Sequence, residues 1–146
     1  MATVIDADRR RVWRAISDPN ELVAWDTHLL APIEAIDQYP TTGSCVRWRY
    51  RLESIPLVMH DKILEVSKPF RLRRKLRVGS LAYDQTLALA DDPTHARKTR
   101  LSIRIIVGNS VPLFGETIDR FRVRELASNH VDETLRCVRN FCEETR

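Results

Sequence analysis

Val46-Arg47-Trp48-Arg49-Tyr50-Arg51-Leu52 alternates without a break, apolar or aromatic at even positions and arginine at odd ones. A strand sends successive side chains to opposite faces, so this segment predicts a strand with one dry and one wet face. Phe70 to Val78 repeats the scheme, with Phe70, Leu72, Leu76 and Val78 inward and Arg71, Arg73, Lys75 and Arg77 outward. Leu81, Tyr83, Gln85, Leu87 and Leu89 form the next inward row, and Thr99, Leu101, Ile103, Ile105 and Val107 the last. Strands are expected over 30–39, 44–53, 57–67, 70–78, 81–90 and 97–107. Between them stand Tyr39-Pro40-Thr41-Thr42-Gly43, Ser67-Lys68-Pro69, Gly79-Ser80 and Asp91-Asp92-Pro93-Thr94. Such turns are too short for a parallel crossover, so neighbouring strands run antiparallel.

Helical signals flank the strands. Ala2 to Ile5 makes a short first strand, and Asp6 or Asp8 can cap a helix carrying Val12, Trp13 and Ile16 on one side. Asp18-Pro19-Asn20-Glu21 sets an N-cap, a first-turn proline and a glutamate three residues after the cap, opening a second short helix to about Trp25. After Gly108-Asn109 the period turns helical again. Ser110 caps and Pro112 sits in the first turn. Phe114, Ile118, Phe121, Val131, Leu135, Val138 and Phe141 then make a stripe at three- and four-residue spacing, fitted less well by Val123 to Asn129.

At 146 residues, with 43% hydrophobic and 30% charged side chains, the sequence predicts one α+β domain over 1–146. No apolar run approaches a membrane span, and Met1 to Arg11 has the wrong order for a secretory signal. Cys45, Cys137 and Cys142 are odd in number and form no C-x-x-C pair, which suits buried thiols and a cytoplasmic location. The net charge is +4, carried by arginine with only four lysines. Arg47, Arg49, Arg51 and the Arg71–Arg77 row could form a basic patch. No aromatic interleaves on that wet face, and Glu53, Asp61, Glu65 and Asp84 dilute it, so a solvated face and no nucleic acid are expected.

The order of elements is strand, two short helices, six strands and a long helix. Together with Ile5-Asp6-Ala7-Asp8…Val12-Trp13…Ile16-Ser17-Asp18-Pro19…Leu22…Trp25 and the turn Leu64-Glu65-Val66-Ser67-Lys68-Pro69, it resembles the START-like (SRPBCC) superfamily. That superfamily includes the plant pollen-allergen fold and the bacterial polyketide cyclase/dehydrase and lipid-transport family. The resemblance implies a helix-grip fold, a curved seven-stranded antiparallel sheet wrapped around the last helix with a cavity between them. It does not imply one activity.

A concave apolar face under a helix suits a small hydrophobic or aromatic molecule, oriented by a few polar groups. Trp48, Tyr50, Tyr83, Ile103, Phe114 and Ile118 are the candidate lining, with ordinary core packing as the alternative. Arg74 and Gln85 fall on inward rows. A buried guanidinium must be paired or ligand-directed, so Arg74 could anchor a carboxylate or enolate-like oxygen, unless a bulge near Arg73-Arg74 turns it to solvent. His60 has ambiguous parity, because Leu57, Met59 and Ile63 make one apolar row and Val58, Leu64 and Val66 the other. Comparison with the superfamily favours the even row inward, sending His60 to the pocket, where it would serve as acid or base or as a structural histidine.

Nothing suggests a cofactor: there is no G-x-S-x-G and no phosphate-cradling glycine loop. His28, His60, His95 and His130 lack metal-ligand spacing. The first expectation is therefore a binding protein, with room left for a homodimer. The alternative is a cofactor-independent enzyme of polyketide aromatase/cyclase type, which convergence of Arg74 and His60 on one cavity would favour, whereas a dry pocket with one polar end would favour carriage. A weaker third reading is an interaction module with a vestigial cavity.

Overall fold

The computed structural model describes residues 1–79, 81–108 and 120–144. The chain runs β1 (Ala2–Ile5), α1 (Arg9–Ser17), α2 (Pro19–Trp25), β2 (Leu29–Pro32), β3 (Cys45–Leu52), β4 (Ile55–Ser67), β5 (Arg71–Val78), β6 (Leu81–Asp92), β7 (His95–Val107) and α3 (Arg120–Glu144). The strands form one curved antiparallel sheet in the order β1-β7-β6-β5-β4-β3-β2. The first strand thus pairs with the last, Ile5 opposite Thr99 and Ala2 opposite Ser102. The expected long C-terminal helix is present as α3, which packs on β1, β7 and α1. The expected helix start at Ser110 and the stripe residues Phe114 and Ile118 lie outside the described residues.

Local chemistry explains the helical corner. Asp8 accepts a hydrogen bond from the Arg11 amide at 2.8 Å and opens α1. Asp18 ends α1, its amide donating to the Arg14 carbonyl, and opens α2, its carboxylate accepting from the Asn20 amide at 2.9 Å. The Trp25 indole donates to the Ala15 carbonyl at 2.8 Å, fastening the two helices together. Val12, Trp13 and Ile16 turn inward as the helical spacing requires, joining Ile5, Leu101, Leu135 and Val138 in the core.

Four sequence expectations are corrected. The strand expected over 30–39 stops at Pro32, because the chain then bends to carry the Tyr39 hydroxyl under the sheet to Asp61. Phe70 is not inward: it lies in the turn before β5, 49% exposed, with the Arg9 guanidinium 4.4 Å above its ring. Leu81, at the opposite end of its row, is also exposed. Of the three thiols only Cys142 is buried, and burial raises its pKa to about 11; Cys45 is exposed.

The ambiguity in β4 has a structural cause. The register against β5 shifts between Ile63 and Glu65. Before that irregularity the odd row, Met59, Asp61 and Ile63, faces inward; after it Val66 faces inward, opposite Leu72. Each apolar row is thus correct for one half of the strand.

Asp18→Ala removes a cap shared by two helices. It is expected to lower the stability measured by urea unfolding by about 1 kcal/mol without changing the sheet signal in circular dichroism.

Candidate functional site

Register sets the concave face. Trp48 on β3 stands opposite Met59, and Val46 opposite Asp61. Asp61 in turn pairs with Leu76, and Leu76 with Tyr83. One step along, Ile63 faces Arg74 and Arg74 faces Gln85. Arg74, Gln85 and Asp61 are therefore delivered to the inner face by strand alternation alone. All three are buried, Asp61 to 1% exposure.

The three belong to one hydrogen-bonded knot. Arg74 Nε donates to Gln85 Oε1 at 2.8 Å. Arg74 Nη1 donates to Asp61 Oδ2 at 3.2 Å and to Tyr39 Oη at 3.0 Å. Tyr39 Oη donates to Asp61 Oδ2 at 2.6 Å, and the Trp48 indole N–H reaches the same oxygen at 3.2 Å. Among the described residues Asp61 Oδ2 thus accepts three hydrogen bonds, while Asp61 Oδ1, also buried, accepts none. Arg74 Nη2 makes no hydrogen bond among the described residues. Burial opposes the arginine's charge, but Tyr39 and Asp61 outweigh it and hold its pKa above the ordinary value. Burial raises the Tyr39 phenol, so it stays protonated and donates.

Arg74 faces inward as its parity required, and no bulge turns it out. Its charge is met by Asp61, which the sequence reading had placed among diluting surface acids. His60 is corrected to the outer face. It stands opposite Arg47 and Arg77, both exposed, because the odd row of this half of β4 is the buried one. His60 and Arg74 therefore do not converge. Ile103 is buried in the core cluster, and Trp48 is wholly enclosed by it.

Beside the knot lies a second polar tier. Burial raises the Tyr83 phenol to about 12 and displaces the Tyr50 phenol upward as well, so both hydroxyls are neutral donors. Among the described residues neither hydroxyl makes a side-chain hydrogen bond, and both residues are buried. Tyr50 lies against His28, ring centroids 5.7 Å apart, and Tyr83 meets His130 of α3 edge-on at 6.5 Å. His28 and His130, with Trp25, Asp26, Glu133 and Cys137, line a small recess between the α2–β2 connection and α3. Burial lowers the His130 pKa, with His28 and Arg74 adding to the effect and Asp26 and Glu133 opposing it. Parity could not reveal Tyr39, Asp26, His28 or His130, because they sit on connections or on the helix. Among the described residues no group of three or more His, Cys, Asp or Glu side chains is arranged to hold a metal ion.

No protein-family model and no curated protein matches the sequence. Solved structures do resemble it. A START superfamily protein from Mycobacterium smegmatis has a TM-score of 0.79 at 11% identity, covering 100% of this chain and 97% of that one. Ara h 8.0201 gives a TM-score of 0.68 at 10% identity, covering 97% of this chain and 94% of that one. CalU16 from Micromonospora echinospora gives 0.64 at 17% identity, covering 96% of this chain and 70% of that one. At such identities the likeness is one of fold, and the chain has the START-like helix-grip fold.

Two outcomes follow. Removing either partner of the Asp61–Arg74 pair strands a buried charge, so Asp61→Leu and Arg74→Met should each cost roughly 3–5 kcal/mol in urea unfolding. The double variant is expected to recover a measurable share of that loss. His130 stays neutral in the folded state to a lower pH than in the unfolded chain, which takes up the proton first. Its contribution to stability is therefore lost as pH falls below the ordinary histidine value of 6.5. A melting-temperature series against pH should accordingly be flatter in that window for His130→Gln.

Proposed function

We propose that the concave face binds a small, largely apolar or aromatic molecule whose polar end is neutral. The supporting observation is the neutralised arginine: Asp61 already compensates Arg74, leaving one acceptor, Oδ1, and one donor, Nη2, without a hydrogen-bond partner among the described residues. A carboxylate ligand would bring a second negative charge against Asp61, whereas a hydroxyl, carbonyl or amide can meet an acceptor and donors together. Tyr50 and Tyr83 supply two further neutral donors on the same face. Trp48, Ile103 and the other inward residues provide the apolar surround, and residues 1–146 act as one binding unit.

The alternative is a cofactor-independent enzyme of the aromatase/cyclase type. It draws on the Tyr83–His130 contact, where a largely neutral imidazole beside a phenol could move a proton. Arg74 and His60, on opposite faces, do not supply that chemistry.

Quenching of the fluorescence of the three tryptophans, Trp13, Trp25 and Trp48, by a panel of matched pairs, naphthol against naphthoic acid and a long-chain alcohol against its acid, tests the binding reading. The neutral member of each pair should bind more tightly, and Tyr50→Phe or Tyr83→Phe should weaken it about fivefold, the loss of one hydrogen bond. Tighter binding of the acids would contradict the neutral polar end. No quenching and no melting-temperature shift by any member would contradict ligand binding altogether.

A further inference from the structure

The outer face of the sheet has a charge pattern that the concave face does not use. Strand alternation that sends Trp48 and Tyr50 inward sends Arg47, Arg49 and Arg51 outward, and β5 repeats this with Lys75 and Arg77. Arg47 is taken by Glu34. Arg49, Arg51, Lys62, Lys75 and Arg77 form no ion pair among the described residues. A cation with no carboxylate partner remains available to an external anion.

The second observation is apolar and lies at the tip of the β3–β4 hairpin, where the outer face meets the inner one. The β3–β4 hairpin turns through Glu53 and Ser54, with Leu52 opposite Ile55, Arg51 opposite Pro56 and Arg49 opposite Val58. Leu52, Ile55 and Val58 are 49%, 57% and 41% exposed, and Pro56 is exposed beside them. Leu52 and Ile55 end the inner row of Trp48 and Tyr50, and Pro56 and Val58 flank Arg51 and Arg49 on the outer row. The hairpin tip thus carries apolar side chains on both faces with two arginines, without an ion pair among the described residues, immediately behind. At about 3.3 Å per residue, Arg51 and Arg49 stand within roughly 10 Å of Leu52 along the strand.

We propose that this hairpin tip docks the protein on an anionic lipid bilayer. Leu52 and Ile55 enter the boundary between headgroups and acyl chains. Arg51 and Arg49 then lie at the depth of the phosphates, and the cations farther along the outer face add long-range attraction. The order of layers, apolar and then cationic, matches the order in a bilayer surface. A nucleic acid would leave the apolar tip without a partner, and no aromatic side chain stands among these outward cations to stack on bases. Glu53 at the turn opposes the cations, but it is exposed and able to swing to water. The inference is independent of what occupies the concave face.

Co-sedimentation of the full chain with phosphatidylcholine vesicles, with and without about one-third phosphatidylserine, tests it. Binding is expected only to the phosphatidylserine vesicles and should weaken with added salt. Arg49→Gln together with Arg51→Gln should reduce partitioning about thirtyfold, from roughly a fivefold effect per surface cation. Leu52→Asp with Ile55→Asp should abolish it. All four side chains are exposed, so melting temperature serves as a control for folding. Absence of binding to phosphatidylserine vesicles at low salt would overturn the proposal. So would binding that survives Leu52→Asp with Ile55→Asp, which would mean that the face attracts any polyanion. Tight binding to a duplex DNA fragment with no vesicle binding would assign the face to nucleic acid instead.

Discussion

Arg74 carries a full charge on a strand position whose neighbours, Leu72 and Leu76, are core residues, and this constrains everything around it. A lone guanidinium there would cost far more than the strand could offset, so the chain supplies a partner from each direction. Asp61 comes from β4, Gln85 from β6, and Tyr39 from the long β2–β3 connection that leaves the sheet early to reach them. The edge of the sheet is shaped by this need: β2 is short because the chain after Pro32 is required elsewhere. Even the wholly buried Trp48 is oriented by it, its indole directed at the shared carboxylate oxygen.

The same knot defines the chemistry of the concave face. A free arginine would select acids, but one held by Asp61 presents a neutral, dipolar end. The phenols of Tyr50 and Tyr83 extend that character toward α3, where His28 packs on Tyr50 and His130 on Tyr83. The inner face is therefore polar in a few fixed places and apolar between them, as in pockets that orient a ligand through a small number of hydrogen bonds. The outer face follows the opposite logic, with charges facing water, and the β3–β4 hairpin tip adds exposed Leu52, Ile55 and Val58.

Most of the fold was legible because its signals are local. The arginine-interleaved alternation of β3 and β5, the Asp18-Pro19 cap and the short turns each specify structure within a few residues, and together they fix an antiparallel sheet between helices. The site was legible only where strand parity governs it: Arg74, Gln85, Tyr50 and Tyr83 follow from counting by twos. His60 did not, because an irregularity after Ile63 lets each half of β4 show a different apolar row. Asp61 was passed over for the same reason, since an acid between a histidine and a lysine looks like surface. Tyr39 was invisible because its role depends on a pairing across 35 positions with Arg74, which no local pattern encodes.

The central claim is that the concave face holds a small neutral molecule, and native mass spectrometry of the purified chain, followed by denaturing extraction, tests it most directly. A mass above that of the polypeptide, released as an uncharged apolar or aromatic compound, is the predicted result. An extracted fatty or aromatic acid would contradict the neutralised role given to Arg74. A bare polypeptide that also takes up none of the neutral compounds offered to it would contradict the claim itself.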